Sequence, residues 1–352
     1  MSEWWPELAP RIEPSRAPKP DGLVVDAHTH LSVKPAAALA KPFFQPEFEP
    51  RQLYSSPETM RYNTEYRASE LNTAQFEDAE QRLADMDAQG VDVQVLSVPP
   101  TEYFYWLPEA DALRANRIQH ERFAEVVAEW PDRFAAVANV PLEHPALAVE
   151  VLREAHRDFG FRGVEISADV LGRDLDDRCF DPVWEACVEL GMTAILHPQG
   201  FTHGQRFTDY YLVNVMCMPL ASTVAVTKMI LGGVWNRHPD LRLLVVHGGG
   251  YLPFYVARTD HAWRVRPELR HELDVPPSEV LRRIYVDTNV FDPRMVEQLV
   301  ADLGAEHVLM GTDYPFDMGT VDPVGFLADV ALSDADRALV LGGNAARLFG
   351  IG

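Results

Sequence analysis

The segment "VVDAHTH" ends an apolar run with two histidines one residue apart, His28 and His30. Side chains alternate along a strand, so both imidazoles share a face, about 7 Å apart. Two neutral imidazoles so placed can pinch one metal ion if ligands arrive from elsewhere. Three later runs end the same way, "TAILHP" on His197, "LRLLVVHGG" on His247 and "HVLMGTDYP" on Asp313. If these runs are parallel strands of one barrel, all five groups reach one rim. His28, His30, His197 and Asp313 then suit a zinc-like divalent ion with one position left open. His247 stands further out, where an imidazole with a near-neutral pKa can move a proton, and Asp313 could return one to substrate. Other histidines, such as His120 and His238, fall in helices or connections and carry no such signal.

Eight apolar runs are the strands that must position these groups: 23–30, 92–98, 134–141, 161–167, 193–198, 241–249, 282–289 and 307–315. Stretches of helical period alternate with them, at 77–90, 146–160, 181–191 and 292–304, and several open on an Asp-Pro pair that caps a helix start. Alternating strands and helices predict an α/β fold with a parallel sheet. Eight units predict a closed (β/α)8 TIM barrel, with a doubly wound open sheet as the alternative. Residues 31–76 and 199–240, after the first and fifth strands, are too long for simple connections and are expected to be long loops covering the active-site face. Residues 1–21 read as an N-terminal extension and 22–352 as a single domain.

The bulk numbers narrow the class. A net charge of −22 argues against nucleic acid and anionic membrane as partners. Cys179, Cys187 and Cys217 show no framework spacing, which fits a reducing compartment. The first twenty residues lack the pattern of a signal peptide, and no run is read as approaching the 18 apolar residues of a membrane span. A cytoplasmic protein acting on a small molecule is the expectation.

Taken together, "DAHTH", "MDAQGVDVQV" (86–95), "HPQG…GQR" (197–206), "HGGGYLPFYVARTDHAWR" (247–264) and "GTDYPFDMG" (311–319) resemble the metal-dependent decarboxylase branch of the amidohydrolase superfamily, over residues 22–350. The resemblance implies a homodimeric barrel with one divalent metal, zinc or in some members manganese, bound by His28, His30, His197 and Asp313. It implies His247 as general base, Phe316 packed against substrate, and Arg258 reaching the neighbouring subunit's site to grip a carboxylate, a task that suits its planar fork. Binuclear members bridge their metals with a lysine on the fourth strand. This chain has only Lys19, Lys34, Lys41 and Lys228, and Glu165 holds that place, either as a bridge or as a buried acceptor near the substrate. One metal is therefore expected. A substrate-binding arginine of the branch falls on Glu70 by ungapped counting, with Arg67 three residues away as its possible substitute. Gln199 replaces a tryptophan after "HP", and Tyr210 and Tyr211 lie near the place of another aromatic. The implied reaction is non-oxidative loss of CO2 from an unsaturated or aromatic carboxylic acid. The alternative is a mononuclear hydrolase or hydratase of a lactone, ester, amide or alkene.

Overall fold

The computed structural model describes residues 11–352, so residues 1–10 of the expected extension lie outside it. The eight expected strands are all present: β1 (Val25–His30), β2 (Val93–Ser97), β3 (Phe134–Ala136, resumed at Ala138–Asn139), β4 (Gly163–Ile166), β5 (Thr193–Leu196), β6 (Arg242–Val245), β7 (Tyr285–Asp287) and β8 (Val308–Leu309). Each pairs in parallel with its sequence neighbour. Val137 N donates to Leu96 O (3.0 Å) and carries the β2–β3 ladder across the break in β3. The ring closes where Ala27 N donates to Met310 O (3.0 Å), Asp313 N to His28 O (2.9 Å) and His30 N to Tyr314 O (2.8 Å). The fold is a (β/α)8 barrel.

Helices Ala79–Gln89, Pro145–Phe159, Asp181–Leu190 and Pro293–Leu303 occupy the expected connections. Asp292 caps its helix through Arg294 N, as the Asp-Pro pair predicts. Asp181 instead lies inside its helix and accepts from Arg237 and His238 (3.0 Å each), so there the pair anchors the next connection. An inner cluster of Val25, Ala27, Val93, Ile195, Leu244 and Leu309 packs on Leu348 and Phe349 of the last helix. A larger layer joins the strands to the helices around them.

The ladder of β1 shifts by one. Asp26 pairs with Gln94 but Thr29 with Leu96, so three steps on β1 match two on β2. Strict alternation would set Val25 and Ala27 on the face opposite His28 and His30. The extra residue removes that opposition, as bulges beside functional sites commonly do.

The two long connections are more ordered than loops. The first holds helices Lys34–Ala40, Pro57–Ala68 and Glu70–Glu77, and the second leads into helix Cys217–Leu231. They latch to each other: Gln199 Nε2 donates to Glu49 Oε1 (2.9 Å), and Tyr54 Oη donates to Thr202 O (3.1 Å). Leu212–Leu231 is, among the described residues, a helical stretch long and apolar enough to cross a membrane by length and composition. This differs from the sequence expectation, because runs interrupted by Asn214, Ser222 and Lys228 still average apolar. Half of the stretch is buried, as in a helix packed on the barrel.

Candidate metal centre

The strand ends bring four imidazoles around one carboxylate. His28 and His30 close β1, His197 follows β5, His247 follows β6, and Asp313 lies four residues past β8. Asp313 Oδ1 is 3.1 Å from His30 Nε2, 3.3 Å from His28 Nε2 and 3.7 Å from His197 Nε2, while Oδ2 is 3.5 Å from His247 Nε2. One donor atom from each of His28, His197, His247 and Asp313 lies within 4.8 Å of all the others. His247 (φ 57°) and Asp313 (φ 64°) both hold left-handed backbone, a cost that structures tolerate mainly where a side chain must be aimed.

The far ring nitrogens explain the aim. His30 Nδ1 is 2.9 Å from Val98 O, and His197 Nδ1 is 3.0 Å from Pro198 O. A carbonyl only accepts, so each Nδ1 carries the proton and each Nε2 presents a lone pair towards Asp313. His28 Nδ1 is fixed by Asp287 Oδ2 at 2.7 Å. His28 Nε2 and His197 Nε2 are buried and have no hydrogen-bond partner among the described residues. Lone pairs converging on a carboxylate repel it unless a cation stands between them. Buried, outer-anchored imidazoles with free inner nitrogens are the usual setting of a metal-binding histidine. The donor set fits one divalent ion.

The electrostatics agree. Burial opposes charge on His28, but the nearby charge of Asp313 and the hydrogen bond to Asp287 outweigh it and push its pKa up to about 10. Burial holds His197 well below its ordinary value, and its neighbours His30, His28 and His247 push the same way. Burial would raise Asp313, yet the charge on His28 and the ring nitrogens of His197, His247 and His28 hold it well below the usual carboxylate range. The pocket favours positive charge at its centre.

His247 differs from the other three imidazoles. Its side chain is 16% exposed, against 2% or less for His28, His30 and His197, and its Nδ1 has no partner among the described residues. It borders a cavity of 280 Å³ with Asp313, Asn214, Met218, Phe254 and Met318. Gly248 follows with φ 62°, and a Cβ there would meet Val290 Cγ1 at 2.3 Å, so glycine is what seats His247 on this rim.

The other expected residues fall at varied distances from this centre. Glu165 is buried, and its Oε1 accepts from Tyr103 Oη (2.8 Å). Burial raises its pKa, against the charge of His30 and hydrogen bonds from Ser97 and Tyr103. Phe316 lies edge-on to His30, with ring centroids 5.2 Å apart. Arg67 is half-buried beside Phe76, its Cζ 3.4 Å from the ring centroid, and donates to Ser32 Oγ (3.0 Å). Arg258 is exposed on helix Leu252–Val265 and is not brought to the centre of its own chain. Sequence reasoning missed two residues. Asp287 ends β7 and orients His28; its position at the end of "RRIYVDTN" was a readable signal. Arg51, whose Cζ lies 5.3 Å from the Phe316 ring, sits in a proline-rich connection with no periodic pattern to mark it.

Comparisons with known proteins fit this geometry. Residues 25–351 match the family model described as amidohydrolase. A 2-amino-3-carboxymuconate-6-semialdehyde decarboxylase of Dictyostelium discoideum is 32% identical over 276 residues, 78% of this chain and 77% of that one. The crystal structure of 5-carboxyvanillate decarboxylase LigW from Sphingomonas paucimobilis superposes with a TM-score of 0.84 at 24% identity, over 94% of this chain and 99% of that one. The 5-carboxyvanillate decarboxylase of Novosphingobium aromaticivorans, complexed with manganese and 4-hydroxy-3-methoxy-5-nitrobenzoic acid, gives 0.82 at 19% identity, over 97% and 100%. The likeness to the structures concerns the barrel; the relative and the family model extend it to the sequence. On these grounds the chain belongs to the amidohydrolase family.

Proposed function

We propose that this chain is a metal-dependent, non-oxidative decarboxylase of an unsaturated or aromatic carboxylic acid. The observation that carries the reading is the set of three outer-anchored imidazoles, His28, His30 and His197, whose Nε2 atoms lie 3.3, 3.1 and 3.7 Å from Asp313 Oδ1, with His247 beside them, in a chain 32% identical to a decarboxylase. His28, His30, His197 and Asp313 would hold one divalent ion. Zinc suits three imidazoles and a carboxylate, and manganese is the alternative because a structural neighbour carries it. Bound there, the ion supplies Lewis acidity towards substrate oxygens.

The chain's own residues do the rest. The bond between the carboxyl carbon and the substrate carbon breaks, CO2 leaves, and the electron pair stays on the substrate carbon. The His247 imidazolium delivers the proton that replaces it from Nε2 and is left neutral with its Nδ1 proton in place, and Nε2 takes up a proton from water once product leaves. Asp313, 3.5 Å from that Nε2, steadies the charged imidazole. Phe316 and the apolar lining beside His247 exclude water and bound the substrate. Arg258, exposed beside Tyr255, would complete the site of a second copy in a homodimer. A cytoplasmic location agrees with three unpaired cysteines.

The test incubates metal-loaded protein with a panel of benzoic and muconic acids, measuring CO2 release and product mass. The reading expects CO2 from at least one acid, with release abolished in His247→Ala. Products that gain water without CO2 would assign the same centre to a hydratase or hydrolase.

A further inference from the structure

Residues 11–20, "RIEPSRAPKP", precede the family-matched segment 25–351 and form neither helix nor strand. Pro14, Pro18 and Pro20 keep this stretch extended and remove N–H groups that a sheet partner would need. It packs against the connection 314–322, which carries Phe316 to the metal centre.

Two backbone N–H groups and three side chains fasten it. Ser15 N donates to Ala88 O (2.8 Å), a last-turn carbonyl that helix Ala79–Gln89 itself leaves without a partner. Ser15 Oγ donates to Asp322 Oδ1 (2.7 Å), and Arg16 N donates to Asp322 Oδ2 (3.2 Å). The Arg16 guanidinium reaches Gly325 O and Asp329 Oδ2 (2.6 Å each), and Lys19 pairs with Asp92. A Cβ on Gly325 would meet Arg16 Cγ at 2.7 Å, so glycine lets the segment seat closely. The exposed Arg16–Asp329 pair adds little, whereas the part-buried hydrogen bond from Ser15 to a carboxylate adds more.

Asp322 is the joint. It also caps helix Pro323–Ala328 through Gly325 N (2.9 Å), so one carboxylate ties the N-terminal segment to the end of the connection. Within the connection the backbone bonds are local, from Phe316 N to Asp313 O (2.9 Å) and from Gly319 N to Phe316 O (2.9 Å). Its anchors to the barrel are few. Tyr66 Oη and Asn72 Nδ2 donate to Pro315 O (3.0 and 3.1 Å), Tyr314 Oη donates to Asp85 Oδ2 (2.7 Å), and Gln89 Nε2 donates to Val321 O (3.1 Å). Ile12 lines a small crevice with Tyr314, Pro315, Phe316 and Val321. The segment therefore touches the connection at both ends, through Ile12 near Phe316 and through Ser15 and Arg16 at Asp322.

We propose that residues 12–16 are a strap that sets the position of the 314–322 connection, with Ile12, Ser15 and Arg16 as positioning residues for the Phe316 wall. That this wall bounds a substrate rests on the decarboxylase reading.

Hydrogen exchange of the manganese-loaded protein reads the strap directly, comparing wild type with Ile12→Ala and with the double variant Ser15→Ala/Arg16→Ala. Exchange in the peptide covering 314–322 should rise at least about fivefold, as losing a buried apolar side chain or a hydrogen bond to a charged group allows. Peptides covering β4 and β5 should keep their rates. Benzoate, titrated calorimetrically, should bind both variants about threefold weaker or more, because an unfixed wall must be ordered on binding. Unchanged exchange in 314–322, or an equal rise in β4 and β5, overturns the proposal, since the segment would then serve global stability alone. A looser connection with wild-type benzoate affinity overturns it as well. Benzoate that binds neither wild type nor variants counts against the decarboxylase reading only, because exchange still judges the strap.

Discussion

Asp287 and His28 are joined at 2.7 Å in a fully buried pair, and the other oxygen of the same carboxylate accepts from Gly248 N (2.8 Å) and Asn289 N (3.2 Å). One carboxylate thus fixes a ring on β1 and the turn that carries His247. Asp287→Asn cannot serve both sides, because its amide NH2 must face either the His28 ring or the two backbone N–H groups. Metal affinity should fall roughly 10–100-fold, the usual cost of losing such an orienting group. Competition with a chelator measures it, and an unchanged affinity would remove Asp287 from the account.

Gly248→Ala should destabilise the protein by about 1–3 kcal/mol, through overpacking against Val290 at a left-handed backbone position. Chemical denaturation checks this. Adding Val290→Ala should return part of the loss but not all, since the backbone strain remains. Full recovery would mean the clash alone mattered.

His120 predicts an acid limb in stability. Burial holds its pKa down at about 4 in the folded chain, against an ordinary value of 6.5. The ring packs edge-on to Phe161 and meets the Asn139 backbone at 2.9 Å. The unfolded chain takes up a proton near its ordinary value and the folded chain resists, so this stability is present above about pH 6.5 and lost as pH falls towards 4. The contribution is about 3 kcal/mol. In His120→Gln the decline over that window should be shallower by a similar amount, read from denaturation at stepped pH. Parallel declines would place the acid sensitivity elsewhere.

The barrel strands were legible because each is a short apolar run bounded by a turn or a helix, and strand ends place side chains on a rim by topology alone. That made His28, His30, His197, His247 and Asp313 visible together. The register shift in β1 was not legible, because it depends on which residue of β2 lies opposite. Arg51 reaches the Phe316 ring only through the folding of two distant connections, which no local pattern encodes. The internal helices of 31–76 hid behind frequent prolines, several of which open helices in the structure, as Pro50 and Pro57 do.

The central claim is tested most directly by anomalous diffraction from crystals of the manganese-loaded protein. A single strong peak among His28 Nε2, His30 Nε2, His197 Nε2 and the Asp313 carboxylate, absent in the His197→Ala protein, is the expected result. No peak there, or a second one at Glu165, would contradict it.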